Sequence, residues 1–276
     1  MLCAPTPKKR IPLDHEIAND MDTLGAKQLT TDTAGFPAYV RVMTDQGLVR
    51  IQDVRVGDRV LSEPESGFGE QRYQRVSTTF SFKEQEIWIV KYCLVDAAKD
   101  CRHFSFEKVK RLAFKGQAKS FEATQNHPFW VKDAGWTRCD QLKFGDLVET
   151  ADATKNAFIY YCGSVMQTTD SKISALYSER NLCDADKKGF EIGDVDYYFF
   201  ILHDWIGERS ALADGEDFEK LDYDGKIIEV TDQTFCTTVY NLEVEDSHTY
   251  YISGDGLRVH NANCGGFPNV RQRQYD

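Results

Sequence analysis

A chain of 276 residues, 41% hydrophobic and 28% charged, has room for one large or two small domains around a packed core. Its formal charge of −11 argues against a nucleic-acid partner gripped through phosphates, and no run approaches the roughly 20 apolar residues of a membrane span. The eight cysteines (3, 93, 101, 139, 162, 183, 236, 264) include no Cys-x-x-Cys pair, which argues against zinc and against a disulfide framework, so no metal or cofactor is expected.

Residues 1–33 read as a polar flank. Pro5, Pro7 and Pro12 come early, Lys8-Lys9-Arg10 is not followed by the apolar core of a secretory signal, and Leu13 to Ala26 could hold a loose helix. From Phe36 the pattern turns to β. Val40, Val42, Val49, Ile51, Val54, Val60 and Leu61 fall in short alternating runs, with Gly47 and Gly57-Asp58 at turns. Val76 to Phe82 and Ile87 to Tyr92 read as two further strands, and Glu65-Ser-Gly-Phe-Gly as a loop. Lys99 to Lys108 is a charged excursion, after which Val109–Phe114 and Phe121–Thr124 resume strands.

An internal repeat comes next. Aligning Gly47 with Gly135, an offset of 88 residues, brings Asp45 onto Asp133, Arg50 onto Arg138, Gly57-Asp58 onto Gly145-Asp146 and Val60 onto Val148. Ile51 and Val54 meet the apolar Cys139 and Leu142. The physical reading is two copies of one strand–turn–strand unit about a pseudo-two-fold axis. Within 151–222, Ala157–Cys162, Ile173–Tyr177 and Asp196–Leu202 read as strands, and the whole stretch as an accessory β insertion. Lys226 to Val230 returns to the main pattern.

The most informative stretch is Val239 to Asn261, VYNLEVEDSHTYYISGDGLRVHN. It reads as two strands and a short third, with a tight turn at Gly254-Asp255-Gly256. The last strand ends in His260-Asn261, followed by Ala262. An asparagine can attack its own backbone carbonyl through its side-chain nitrogen, closing a succinimide and breaking the next peptide bond. The reaction needs a held geometry, an oxyanion donor and proton transfer. His260 and His248 are the residue types for that transfer near neutral pH.

VYNLEVEDSHTYYI with LRVHN resembles the two C-terminal motifs of Hint domains, the self-processing modules of inteins, Hedgehog proteins and bacterial polymorphic toxins. Thr124-Gln-Asn-His127 resembles the family's Thr-x-x-His motif, and GLVRIQDVRVGDRVLS from Gly47 resembles the strand pair after its N-terminal nucleophile. The wording HPFWV and HTYYI with VHNANC is most similar to pretoxin Hint modules. The resemblance implies an all-β horseshoe with an internal repeat, spanning 34–150 and 223–261, with 151–222 outside it. It implies cleavage after Asn261 by cyclisation, with His260 polarising the carbonyl and His248 activating the Asn nitrogen. Thr124 and His127 would contact the N-terminal junction.

The chain departs from the family there. The nucleophile position, Cys or Ser in the family, falls on Ala34 or Gly35, by engineering or by natural loss. Neither side chain can attack a carbonyl. Ala262 likewise offers no nucleophile, so splicing is not expected. Asn241 stands as a supporting residue where many inteins carry Asp. The segment from Ala262, ANCGGFPNVRQRQYD, reads as the start of a released C-terminal part. The implied partners are the chain's own flanks in cis, with an immunity or delivery protein besides, and neither nucleic acid nor membrane. The implied setting is a bacterial cytoplasmic precursor exported as part of a toxin. A non-catalytic Hint-like scaffold joining two flanks is the alternative.

Overall fold

A computed structural model describes residues 33–101, 103–105, 108–109, 111, 119–171, 173–177, 197–201, 220–223 and 225–261. All lie in the second of two units into which the chain divides, 31–276. The flank helix expected over Leu13 to Ala26 and everything after Asn261 lie outside the described residues.

Seventeen strands are described, and every pairing among them is antiparallel. The architecture is all-β, as expected. In chain order they begin with β1 (Phe36–Pro37), β2 (Arg41–Thr44), β3 (Gly47–Arg50) and β4 (Arg59–Ser62). Next come β5 (Arg72–Asp96), β6 (Lys119–Thr124), β7 (Pro128–Val131), β8 (Gly135–Arg138) and β9 (Leu147–Glu149). After them lie β10 (Lys155–Thr168), β11 (Ile173–Tyr177), β12 (Tyr197–Ile201), β13 (Lys220–Tyr223) and β14 (Lys226–Thr234). The last three are β15 (Cys236–Val244), β16 (Thr249–Ile252) and β17 (Leu257–His260).

The repeat read in the sequence is present in the backbone. A 3-10 turn comes after β3 at Ile51–Asp53 and after β8 at Cys139–Gln141. Arg55 N–H donates to Asp58 Oδ2 at 2.8 Å, and Lys143 N–H to Asp146 Oδ2 at 2.9 Å. Gly57 and Gly145 adopt φ of +98° and +94°, which only glycine takes cheaply, and their N–H groups donate to Val76 O and Ile159 O. Before the first hairpin turn the offset drops to 87: Ile51 N–H donates to Val40 O, and Cys139 N–H to His127 O. The cause is turn length. Thr44 pairs with Gly47 across two residues, whereas Val131 pairs with Gly135 across three.

The two copies meet on the β16–β17 hairpin. Ile252 of β16 pairs with Val42 of β2, and Val259 of β17 pairs with Phe129 of β7, the equivalent position. Their side chains, with Val60, Val148, Tyr250, Leu257 and Phe36, fill the main core. A second cluster, including Ile87, Ile89, Phe158 and Val165, lies between β5 and β10.

Three expectations need correction. The strands read as Val76–Phe82 and Ile87–Tyr92 are one 25-residue strand, β5. The charged Lys83–Glu86 run looked like a break, but there Gln85 and Glu86 pair with Thr237 and Cys236, their side chains free to reach water. Position 151 is also too early for an accessory insertion. Lys155 to Ser164 of β10 pair with Trp88 to Asp96 of β5, and Ala157 and Ile159 enter the main core. The tail of β10 does reach outward, pairing with β11 and β14. Finally, Val109 and Arg111 sit in a helical turn and not in a strand; the rest of Val109–Phe114 lies outside the described residues.

The two Asp-capped turns carry matching hydrogen bonds, so they should contribute about equally. Asp58→Ala and Asp146→Ala should each lower stability by about 1 kcal/mol, seen as matched shifts in urea midpoint. A large loss from one and none from the other would contradict the equivalence of the copies.

Candidate active site

Strand β17 delivers Asn261 to a buried position, and its N–H donates to His248 O at 2.9 Å, one rung beyond the Thr249–His260 pair. The Asn261 side-chain nitrogen donates to Glu243 Oε1 at 2.8 Å and lies 3.2 Å from His248 Nδ1. Those two groups are themselves 3.0 Å apart. Glu243 reaches the site because β15 carries a bulge at Glu243/Val244, which re-aims the strand's side chains. His248 reaches it because Asp246 and His248 take φ of +62° and +54°, turning the chain back onto β15. Such values are uncommon for residues with a Cβ and collect at functional turns.

The carbonyl side of Asn261 is served by His260. Its Nδ1 lies 3.1 Å from Asn261 O, and its Nε2 lies 2.9 Å from Glu65 Oε1. Both ring nitrogens therefore face acceptors, and both contacts are hydrogen bonds only when the ring carries two protons. The indole edge of Trp136 closes the site against the imidazole, with ring centroids 4.8 Å apart. Nearby, Arg258 is fully buried, its guanidinium packed over Trp130 and against Trp136. It donates to Pro64 O at 2.6 Å and to Glu149 Oε2 at 3.1 Å, and so pins the loop that carries Glu65.

The second cluster surrounds the Ala34–Gly35 peptide. Asn241 Nδ2 donates to Ala34 O at 2.8 Å, while Gly35 N–H donates to Thr124 Oγ1 at 3.1 Å and Thr124 N–H to Gly35 O at 3.0 Å. Asn241 Oδ1 accepts from Tyr250 O–H and Leu242 N–H. An ionised Asp at 241 would set two acceptors together at Ala34 O, which accounts for the amide here. A Cβ at Gly35 would lie 2.8 Å from Tyr240 O and 2.9 Å from Val239 Cγ2. The position is packed for glycine.

His127 lies between the clusters, fully buried and 4.0 Å from the Phe36 ring, with neither ring nitrogen bonded to another described residue. Every predicted site residue thus falls in or between two adjoining clusters: Asn261, His260 and His248 in the first, Thr124, Asn241 and the 34–35 peptide in the second. Glu243, Glu65 and Trp136 were not anticipated. For Glu243 a signal existed, because alternate strand residues share a face and Asn241 had been singled out. For Glu65, a loop residue, there was none.

Burial holds the His127 imidazole well below its ordinary value of 6.5, and the charge of His260 pushes the same way. The folded state therefore keeps His127 neutral where the unfolded chain protonates it. Its contribution to stability is present above the unfolded value and is lost as pH falls below about 6.5, with a slope approaching 1.4 kcal/mol per pH unit. His127→Phe should flatten that part of a stability–pH curve measured by denaturant titration. An unchanged slope would mean that His127 is protonated in the fold.

No family model matches the chain, and no curated protein matches it. Solved structures do. The intein-like domain from Clostridium thermocellum is 19% identical, with a TM-score of 0.41, over 82% of this chain and 98% of that one. The DnaB intein from Synechocystis sp. PCC 6803 is 14% identical, with a TM-score of 0.39, over 83% of this chain and 99% of that one.

Proposed function

We propose that this chain is a self-processing Hint domain that cleaves its own backbone after Asn261 and releases the segment beginning at Ala262, without splicing. The observation that carries the reading is the set of contacts at Asn261. Its nitrogen sits within hydrogen-bond reach of Glu243 and His248, and its carbonyl oxygen accepts from His260. Nucleophile, a facing carboxylate and imidazole, and an oxyanion donor converge on one buried residue. The reaction is single-turnover, since the ring that forms consumes the Asn side chain.

In the attack, Asn261 Nδ2 adds to the Asn261 carbonyl carbon and gives up a proton to the Glu243–His248 pair. His260 Nδ1–H stabilises the negative charge on Asn261 O, which is worth more in a buried site than in water. Glu65 holds the doubly protonated imidazole in place through Nε2. Collapse breaks the bond to Ala262, leaving a succinimide on the N-terminal product.

The N-terminal cluster retains the grip on a peptide but has lost the attacking group. The held bond is Ala34–Gly35, so the residue after it is Gly35, which supports Gly35 over Ala34 as the vacated nucleophile position. Its packing against Tyr240 and Val239 favours natural loss over a recent replacement. Cleavage is accordingly confined to Asn261. Resemblance of the HPFWV and HTYYI segments to pretoxin Hint modules supports a place in an exported bacterial toxin precursor, the released part being the toxin.

Incubating the purified chain near neutral pH should release Ala262–Asp276, with the larger product ending in succinimide or its hydrolysis products by mass spectrometry. Asn261→Ala should abolish release. His260→Ala should slow it by about 10²–10³, the usual loss for an oxyanion donor. A parent chain that stays intact would instead support a non-catalytic scaffold between two flanks. Cleavage that persists in Asn261→Ala, or maps elsewhere, would overturn the cyclisation.

A further inference from the structure

For Asn261 to react, its side-chain nitrogen must lose a proton as it attacks, and among the described residues Glu243 and His248 face that nitrogen. We infer that Glu243 is the catalytic base and that His248 is a positioning residue that holds its carboxylate. This rests on the cleavage reading above and assigns a role within it.

The argument is a proton inventory of three atoms. Asn261 Nδ2 carries two protons and, as an amide nitrogen, accepts none. It lies 2.8 Å from Glu243 Oε1 and 3.2 Å from His248 Nδ1, which are 3.0 Å from each other. Suppose Nδ1 carries a proton. Glu243 Oε1 then accepts from both neighbours, the two shorter contacts are hydrogen bonds, and the longest sets two donors side by side. Suppose instead that Nδ1 offers its lone pair. It then faces the carboxylate lone pairs at 3.0 Å, unless the carboxyl holds the proton and has ceased to be a base. The observed order of distances matches the first arrangement, in which Glu243 Oε1, and not His248 Nδ1, presents a lone pair to Nδ2.

The surroundings fit that division. The bulge at Glu243/Val244 aims the carboxylate at the strand end, and its second oxygen is buried without a hydrogen bond to any described residue, so its charge is served through Oε1 alone. His248 is fixed by its left-handed backbone and by its own carbonyl, which accepts the Asn261 N–H. In the step, the Nδ2–C bond forms as one Nδ2 proton passes to Glu243 Oε1 and the carbonyl electron pair moves to oxygen. The tetrahedral carbon then expels the Ala262 nitrogen, which takes up one proton as Glu243 gives back the one it received, so the carboxylate is restored and no proton is gained or lost overall. The imide keeps one N–H, and no water is consumed.

Two variants and a rescue test this on the full chain, with release of Ala262–Asp276 monitored by mass spectrometry. Glu243→Gln keeps the shape and an acceptor oxygen but cannot take the proton, and should slow release by about 10²–10⁴. His248→Asn keeps a donor and tolerates positive φ, and should slow release at least about tenfold less than Glu243→Gln does. In Glu243→Ala, added formate should raise the rate with concentration, which a merely structural role would not produce. Parent-like cleavage in Glu243→Gln overturns the assignment. So does a His248→Asn chain as slow as Glu243→Gln together with no formate rescue. A parent chain that does not cleave at all is a different result, because it removes the cleavage reading itself.

Discussion

The structure depends on the β16–β17 hairpin being paired along both outer edges, by one copy of the repeat on each side. Val42 takes Ile252 and Phe129 takes Val259. The equivalent residues Ser62 and Thr150 hold the hairpin again: Ser62 Oγ donates to Thr249 O, and Thr150 bridges to Leu257. A two-stranded hairpin alone is marginal in water. Clamped twice and buried among core side chains, this one becomes a rigid mount. That rigidity matters because cyclisation is slow chiefly for want of geometry, and holding the reacting atoms close can supply several kcal/mol of the barrier.

Strand β15 supplies polar groups to both clusters. Asn241 grips the carbonyl of Ala34, and Glu243, two residues on, faces the nitrogen of Asn261. Between them the charges are segregated. His127 is kept neutral by burial, whereas His260 has a carboxylate, Glu65, at its far nitrogen. One imidazole is therefore suited to fill space beside a peptide and the other to carry a proton at a carbonyl.

Much of this was legible in the sequence because it repeats or alternates. The Gly-Asp turns recur at a fixed offset, and turn glycines at positive φ leave few alternatives. The His-Asn end of β17 drew attention to this site because few side chains can attack their own backbone. What failed had physical causes. The charged Lys83–Glu86 run was read as a break because polarity usually marks turns, yet this stretch of β5 is partly exposed and needs no apolar alternation to pair with β15. Residues 155–164 were assigned to the insertion because the stretch after 150 matched none of the family's motifs, although they pair with Trp88 to Asp96 of β5. Glu65 and Trp136 were invisible because a loop and a distant hairpin bring them to His260, and no local spacing encodes that meeting.

The crowding around Gly35 reaches beyond its own cluster. Any side chain there would press on Val239 and Tyr240 of β15, the strand that carries Asn241 and Glu243 a few residues later. A side chain introduced at position 35 would therefore disturb the approach of Glu243 to Asn261, unless β15 changed at the same time. Single-step reversion is penalised by the chain's own packing. On the self-processing reading proposed above, the packing around Gly35 acts as an evolutionary ratchet.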